Sequence, residues 1–201
     1  MEETRNNVAT LNGEMITDFV FSHEVMGEKF LECQVRVPRL SGAFDTLPVM
    51  CSERLISDMD LHKGKTISVI GQFRSHNKVE DEKSKLVLTV FLQSFLDEIP
   101  KKPNEIFLSG YICKPPVYHT TPLDREIADV LIAVNRAYNK SDYIPCIAWG
   151  RNARFVKNLC VGDKIAVSGR IQSREYQKAI SETEFKTMTA YEVSISSLEV
   201  E

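Results

Sequence analysis

The sequence predicts an all-β protein built from two similar halves, each of them a small closed barrel. Three observations support this: short motifs recur at a nearly constant spacing, both halves consist mainly of strand-like runs, and a proline-containing segment separates them. Such repeats decide the architecture of a chain. The repeated positions are Gly13 and Gly110, Pro48 and Pro145, and Gly71 and Gly169, which lie 97, 97 and 98 positions apart.

The segment DEIPKKPN at 97–104 interrupts the strand pattern. Its two prolines cannot donate to a sheet ladder, and each restricts the residue before it, so we expect no strand to run through it. The segment therefore predicts a linker between two domains. The predicted ranges are 1–97 for the first domain, 98–103 for the linker and 104–201 for the second domain.

Strand-like runs follow the same order in both halves. LECQVRV and ADVLIAV are rich in apolar and β-branched residues, and TISVIGQF and KIAVSGRI alternate apolar with polar positions. Such alternation is typical of strands with one buried face, and the closing runs LVLTVFLQSFL and YEVSISSLEV share it. One short helical candidate lies in each half, SERLISDMDL and RNARFVKNLC. Gly64 and Gly162 follow these segments and can end a helix.

Gly71 and Gly169 fall in the middle of alternating runs, where glycine often permits a sharp bend of a barrel strand. Strands of this length with one helix in each half fit the five-stranded Greek-key barrel of the OB fold. The predicted fold class is therefore all-β, with two tandem OB-fold domains that each carry one short helix. Periodicity alone does not separate this fold from another small β-barrel.

The composition is that of a folded protein, with 43% hydrophobic and 26% charged residues. No apolar stretch approaches the roughly 20 residues that cross a membrane, and the acidic start MEETRNNVAT lacks the features of a secretory signal. We expect a cytoplasmic protein with no membrane partner. Residues 104–201 are balanced in charge, so the net charge of −3 belongs to the first half. The second half is the better candidate for facing phosphates.

Patterns for catalysis and metal binding are missing from the sequence. The five cysteines include no C-x-x-C pair, and the four histidines lie far apart, which argues against a zinc site. The GKT run at 64–66 has Met59 where a phosphate-binding loop requires glycine. A nuclease would need clustered carboxylates and a metal. We therefore expect a protein that is not an enzyme and has no catalytic residues, metal or cofactor.

The second half carries an ordered set of short motifs. A strand ends in glycine, an apolar strand ends in a polar-aromatic run, a third strand runs into aromatic-glycine, and a later strand carries GRIQSR. These steps lie at 107–110, 135–138, 149–150 and 169–174. Taken together, residues 104–201 resemble the bacterial single-stranded DNA-binding protein family.

The resemblance implies non-catalytic, sequence-tolerant binding of single-stranded DNA in replication, recombination or repair, with bases stacked along a basic groove. The aromatic residues that match the family are Tyr138, Tyr143, Trp149 and Tyr176. The basic residues near them are Arg136, Lys140, Arg151, Arg170, Arg174 and Lys178. Trp149 lies in the run CIAWG, which also suits a core position, so stacking and burial are both open.

The first half departs from this pattern at the equivalent positions. The residues that replace the four aromatics there are Ser41, Thr46, Ser52 and Lys78. Arg39, Phe44 and Arg74 remain as candidate contacts. We therefore expect the first half to bind DNA weakly or to serve mainly as structure.

The resemblance also bears on partners. The expected ligand is single-stranded DNA, and a homodimer would present the four OB domains that family assemblies commonly have. The last strand is expected to run almost to Glu201, without the acidic tail that recruits replication proteins in this family. The alternative interpretation is a tandem OB-fold scaffold for protein interaction in a replication or replication-restart complex.

Overall fold

The computed structural model describes residues 5–80, 83–179 and 185–201, and residues 1–4 of the acidic start lie outside this range. The first half contains β1 (Asn7–Met15), β2 (Val20–Val25), β3 (Glu28–Pro38), β4 (Phe44–Ser52), α1 (Glu53–Ile56), β5 (Thr66–Glu80) and β6 (Lys83–Phe95). The second half contains β7 (Asn104–Ile112), β8 (Val117–Thr120), β9 (Glu126–Arg136), β10 (Lys140–Trp149), α2 (Arg151–Val156), β11 (Lys164–Ala179) and β12 (Phe185–Val200).

Each half closes into a barrel of five strands. In the first half the order is β3-β4-β6-β5-β1, and a further pairing of β1 with β3 closes the ring. β4 and β6 pair in parallel, and β2 forms a hairpin with β3. The second half repeats the arrangement as β9-β10-β12-β11-β7, with β7 pairing to β9. This is the OB fold, so the predicted fold class is confirmed.

The two helices are shorter than the segments that predicted them. α1 has 4 residues and α2 has 6. Gly64 and Gly162 adopt positive φ angles of 92° and 97° in turns several residues beyond the helices, so the expectation that they end the helices is wrong. Within the described part of the chain, no helix combines the length and apolar character needed to cross a membrane.

Gly71 and Gly169 allow the barrels to bend. The register of β5 against β6 shifts at Gly71, and that of β11 against β12 shifts at Gly169. A Cβ atom would lie 2.2 Å from the Phe91 carbonyl oxygen at Gly71, and 2.1 Å from that of Ser194 at Gly169. Only glycine permits so close an approach of two backbones, which confirms the role predicted for both residues.

The two barrels join through β1 and β7, which pair antiparallel and make one twelve-stranded sheet. Ala9 lies opposite Ile106, the residue 97 positions further along the chain and thus its counterpart in the repeat. Pairing of a residue with its own counterpart is the property of a two-fold axis. The halves are therefore related by an approximate two-fold axis at this point.

Two buried carboxylates cross between the halves, and we call Asp45 and Asp142 the crossed carboxylates. Asp45 of the first half accepts a hydrogen bond from the Ser173 backbone N–H, and Asp142 of the second half accepts one from the Ser75 backbone N–H, both at 2.8 Å. Their exposures are 1% and 2%. Buried carboxylates are costly unless they are paired and hydrogen-bonded, so these contacts fix how the barrels face each other.

Candidate nucleic-acid interface

Two open grooves lie on the barrels, and each is lined by residues from both halves. We name each groove after the half on which it mainly lies, so the first groove is on the first half and the second groove is on the second half. The second groove has a volume of about 430 Å³ and lies over β10, β11 and β12. Its lining residues are Trp149, Arg170, Gln172, Ser173, Arg174 and Ser194, with Arg125 from the turn before β9 and Arg39 from the first half. Four residues predicted from the sequence meet here: Arg39, Trp149, Arg170 and Arg174.

Trp149 ends β10 and lies at the surface, 36% exposed. Its indole Nε1–H donates a hydrogen bond to Ser194 Oγ on the neighbouring strand β12, over 3.1 Å. This bond restricts rotation of the ring. An anchored indole with an exposed face is suited to stacking with a base.

Two of the positive side chains of the second groove, Arg39 and Arg170, contact Asp45. Arg39 forms an ion pair and two hydrogen bonds with this carboxylate, and the hydrogen bonding raises the pKa of Arg39. Arg170 Nη1 lies 3.4 Å from Asp45 Oδ2. Two guanidinium groups thus share one carboxylate, and the surplus positive charge favours an anion. Arg174 adds a further charge, with Glu192 3.9 Å away.

The first groove is larger, about 960 Å³, and lies over β2, β3, β5 and β6, with the β9–β10 turn of the second half at its rim. Its basic lining residues are Arg74, Lys78, Lys85, Arg136 and Lys140, and its ring-bearing lining residues are Phe21, His23, Phe30, His76, Phe91 and Tyr138. The predicted residues Arg136, Tyr138 and Lys140 therefore line a groove on the first half and do not join Trp149.

The β9–β10 turn presents Tyr138 to solvent. Arg136 and Lys140 pair at the base of this turn. Tyr138 and Asn139 both have positive φ angles, of 61° and 53°. Asparagine tolerates this conformation, whereas an aromatic residue rarely adopts it. Tyr138 is 93% exposed, so the protein retains a strained tyrosine at a tip, a feature that clusters at binding sites.

Arg74 lies over the ring of Phe91, with its Cζ 3.7 Å from the ring centroid. Its side chain also donates to Gln72 Oε1 at 2.9 and 3.1 Å. Burial, and then the charge of Arg136, lower the pKa of Arg74 to about 10. Arg136 lies 3.4 Å from Asp142. Two arginines and one crossed carboxylate thus meet in this groove, as they do in the second groove.

Five of the predicted residues line neither groove. They are Phe44, Tyr143, Arg151, Tyr176 and Lys178. Tyr143 and Tyr176 are exposed on β10 and β11, but the structure does not gather them with Trp149. Arg36 Cζ lies 5.0 Å from the ring centroid of Phe44, which remains exposed.

The sequence comparison missed the rings of the first groove. His23, Phe30 and Phe91 lie on three different strands, and none of them occupies the position of a family aromatic. The available indication was the set of unmatched aromatics in the runs VFSHEV, EKFLE and LTVFLQ. Strand register, which the sequence does not specify, was needed to bring them together.

Two OB-fold barrels with basic, ring-lined grooves define a class of protein suited to an unpaired nucleic-acid strand. Residues 103–200 match the profile of the single-strand binding protein family. The chain is 33% identical over 81 residues to single-stranded DNA-binding protein B of Bacillus subtilis (strain 168), and the match covers 37% of this chain and 72% of that protein. The chain belongs to the single-strand binding protein family.

Other similar proteins extend the comparison. Single-stranded DNA-binding protein 1 of Staphylococcus aureus (strain COL) is 37% identical over 81 residues, which cover 37% of this chain and 48% of that protein. The chain thus spans about half the length of such relatives. The structure of wild-type single-stranded DNA binding protein from Thermus aquaticus matches with a TM-score of 0.71, over 97% of this chain and 92% of that one, at 21% identity. This likeness supports the fold of both halves.

Proposed function

We propose that the protein binds single-stranded DNA without sequence preference and without catalysis, in replication, recombination or repair, and that it acts in the cytoplasm. The observation that carries the proposal is the exposed, anchored ring of Trp149, which lines the second groove together with Arg170 and Arg174. This groove lies in the half that matches the family, and the relatives reported above are named for binding single-stranded DNA.

The chemistry of the second groove fits that ligand. Every base has a π-face, so stacking on an aromatic ring contributes about 1–3 kcal/mol per base whatever the sequence. Arginine side chains beside the ring neutralise the phosphates, and binding then weakens as salt rises because counterions are released. The proposed DNA path extends beyond the groove along four further residues that the sequence predicted, Tyr143, Arg151, Tyr176 and Lys178.

We further propose the domain ranges 1–97 and 104–201, joined by the linker 98–103. The support is that β6 ends at Phe95 and β7 begins at Asn104, with each barrel closed on its own side of this segment.

We also propose a homodimer that presents four OB barrels. The twelve-stranded sheet ends at β2 and β8, and the outer edge of each has no neighbouring strand within the described residues. Such an edge can pair with another chain. Light scattering should give twice the chain mass of 22.8 kDa, and a mass of one chain at micromolar concentration would rule the dimer out.

Titration with dT oligonucleotides tests the DNA-binding proposal. Fluorescence of Trp149, the only tryptophan, should be quenched on binding, and the affinity should fall steeply between about 50 and 200 mM salt. Arg174→Ala should weaken binding and reduce the salt slope by about one. Arg54→Ala is the matched control, because Arg54 is exposed on α1 and lies in neither groove.

Two results would count against the proposal. Binding detected by anisotropy without quenching would keep the activity and remove Trp149 from it. No binding at low salt by either probe would reject the activity, and the tandem barrels would then be better explained as a scaffold for protein assembly.

A further inference from the structure

Rings in the first groove form a connected cluster. The ring centroids of His23 and Phe30 lie 5.0 Å apart with an interplanar angle of 15°, which is a stacked arrangement. Phe30 and Phe91 are 6.0 Å apart at 45°. The Arg74 guanidinium lies over the ring of Phe91. We call His23, Phe30 and Phe91 the ring cluster.

The ring cluster lies where the second half has its tryptophan. Met50 and Ile147 are counterparts 97 positions apart, and in the parallel pairs they face Phe91 and Ser194 respectively. Phe91 therefore occupies the place of Ser194, the residue to which Trp149 is bonded. The counterpart of Trp149 itself is a serine at the end of β4. At this face the first half therefore carries an aromatic ring, Phe91, on β6, the strand next to β4.

The charges around the ring cluster favour an anionic ligand. Among the described residues that line the first groove, five are basic and only Glu32 is acidic. Arg74 and Arg136 line this groove from different halves, and Arg136 Nη1 lies 3.4 Å from Asp142 Oδ1. A phosphate between the two guanidinium groups would relieve their repulsion. Rings beside paired guanidinium groups match a base attached to a phosphate.

We propose that the first groove is a second site for single-stranded DNA, in which bases stack on the ring cluster and a phosphate binds between Arg74 and Arg136. The inference rests on the proposed function and extends it to the half whose sequence has lost every family aromatic. It replaces the expectation of a weak or merely structural first half.

The site is composite, because the second half supplies part of it. Arg136, Tyr138 and Lys140 reach the first groove from the β9–β10 turn, while the crossed carboxylates hold the two barrels in place. The intact chain is therefore the form in which this site must be tested.

Calorimetric titration of the full chain with a short dT oligonucleotide provides the test. An oligonucleotide of about five nucleotides is near the lower end of the ~4–16 that one OB fold occupies, so one molecule should fill one groove. The wild-type chain is expected to bind two. The double variant Phe30→Leu and Phe91→Leu keeps apolar bulk and removes the rings. It should bind one oligonucleotide per chain, and the quenching of Trp149 fluorescence should be unchanged.

Phe95→Leu is the matched control, because Phe95 is also in β6 and lies outside the groove. It should leave two oligonucleotides bound. If the double variant does not fold, as judged by circular dichroism, His23→Ser takes its place, since His23 is exposed on β2. This variant should lower the affinity of the first groove for the oligonucleotide about fivefold, which is the low end for the loss of one stacking partner.

The outcomes separate this inference from the proposed function. One oligonucleotide per wild-type chain with Trp149 quenched would overturn the inference and keep the function. Two per chain in both the double variant and the wild type would also overturn it, as would unchanged affinity in His23→Ser where that variant is used. No binding and no quenching at low salt would reject both.

Discussion

The two grooves occupy corresponding faces of two copies of one fold, yet they are built from different residues. Among its described lining residues the second groove has one large ring, Trp149, which lies at a strand end and is hydrogen-bonded to Ser194. The first groove has a ring cluster drawn from β2, β3 and β6, with an arginine over it. A stacking surface is therefore a property of a face of the barrel. Aromatic side chains on that face can come from neighbouring strands. The absence of an aromatic residue at one position therefore does not mean that the face has no rings.

Among the tests of this comparison, replacement of the crossed carboxylates is expected to have the largest effect. Asp45 interacts with both Arg39 and Arg170, whereas among the described residues only Arg136 lies within ion-pair distance of Asp142. Asp45→Ala should lower the free energy of unfolding by about 3 kcal/mol, the low end for breaking a buried pair, since both arginines remain partly exposed. Asp142→Ala should cost less. Urea denaturation followed by circular dichroism measures both.

Asp58→Ala is the control for these variants, because Asp58 is exposed and should change the stability by less than about 0.5 kcal/mol. Equal losses for Asp45→Ala and Asp142→Ala would mean that the second arginine at Asp45 contributes nothing, and the two halves would then be equivalent in this contact.

Replacement of Trp149 tests the other half of the comparison. Trp149→Leu removes the ring and should weaken binding of a short dT oligonucleotide at the second groove about tenfold or more. The first groove should keep its affinity, because its rings are independent of Trp149. Calorimetry with the five-nucleotide probe distinguishes the two sites. A uniform loss at both sites would show that the grooves act as one surface.

A smaller difference is expected in the response to pH. His76 in the first half is the counterpart of Arg174, 98 positions further on. Burial, and then the charges of His23, Lys78 and Arg136, lower the pKa of His76, while Glu32 opposes the shift. A bound phosphate favours the protonated imidazole and so opposes this lowering of the pKa. Affinity at the first groove should rise about two- to threefold from about pH 7.5 to about pH 5.5.

The direction of this change in DNA affinity with pH follows from the linkage between proton binding and DNA binding. A bound phosphate would raise the pKa of His76 above its value in the free protein, so DNA binding would take up a proton and the affinity would rise as the pH falls. Anisotropy titrations of Trp149→Leu, in which the first groove dominates, measure the effect. His76→Gln should flatten the pH profile, and a rise that survives this substitution would assign the effect to another group. The described lining residues of the second groove include no histidine, so its affinity should not respond to pH in this range.

Much of the fold was predictable from the sequence. The repeat spacing and the mid-strand glycines Gly71 and Gly169 predicted two barrels with a bend in each, because alternation and backbone approach are local requirements. The exposed position of Trp149 was left open, since the run CIAWG fits a core strand equally well. Its surface position depends on the pairing of β10 with β12, which joins residues far apart in the chain.

The composition of the grooves could not be predicted in this way. Arg136 and Tyr138 were assigned to the binding face of the second half because they match its family motif. With β1 paired antiparallel to β7, they instead line the groove of the first half. Phe91 was overlooked because a comparison at fixed spacing cannot detect a ring that lies on an adjacent strand. Both features arise from long-range register, which single residues do not encode.

The pairing of Ala9 with Ile106 has a consequence for how such a protein can evolve. In a dimer of identical single barrels, the residue on the axis faces itself, and every substitution alters both barrels at once. Here the same place in the sheet holds two different residues in one chain. After a gene duplication and fusion, each barrel can therefore drift independently while their contact is retained. With both proposed sites in use, a DNA strand that crosses one chain would meet two unlike surfaces in a fixed order, and the complex would have an inherent polarity.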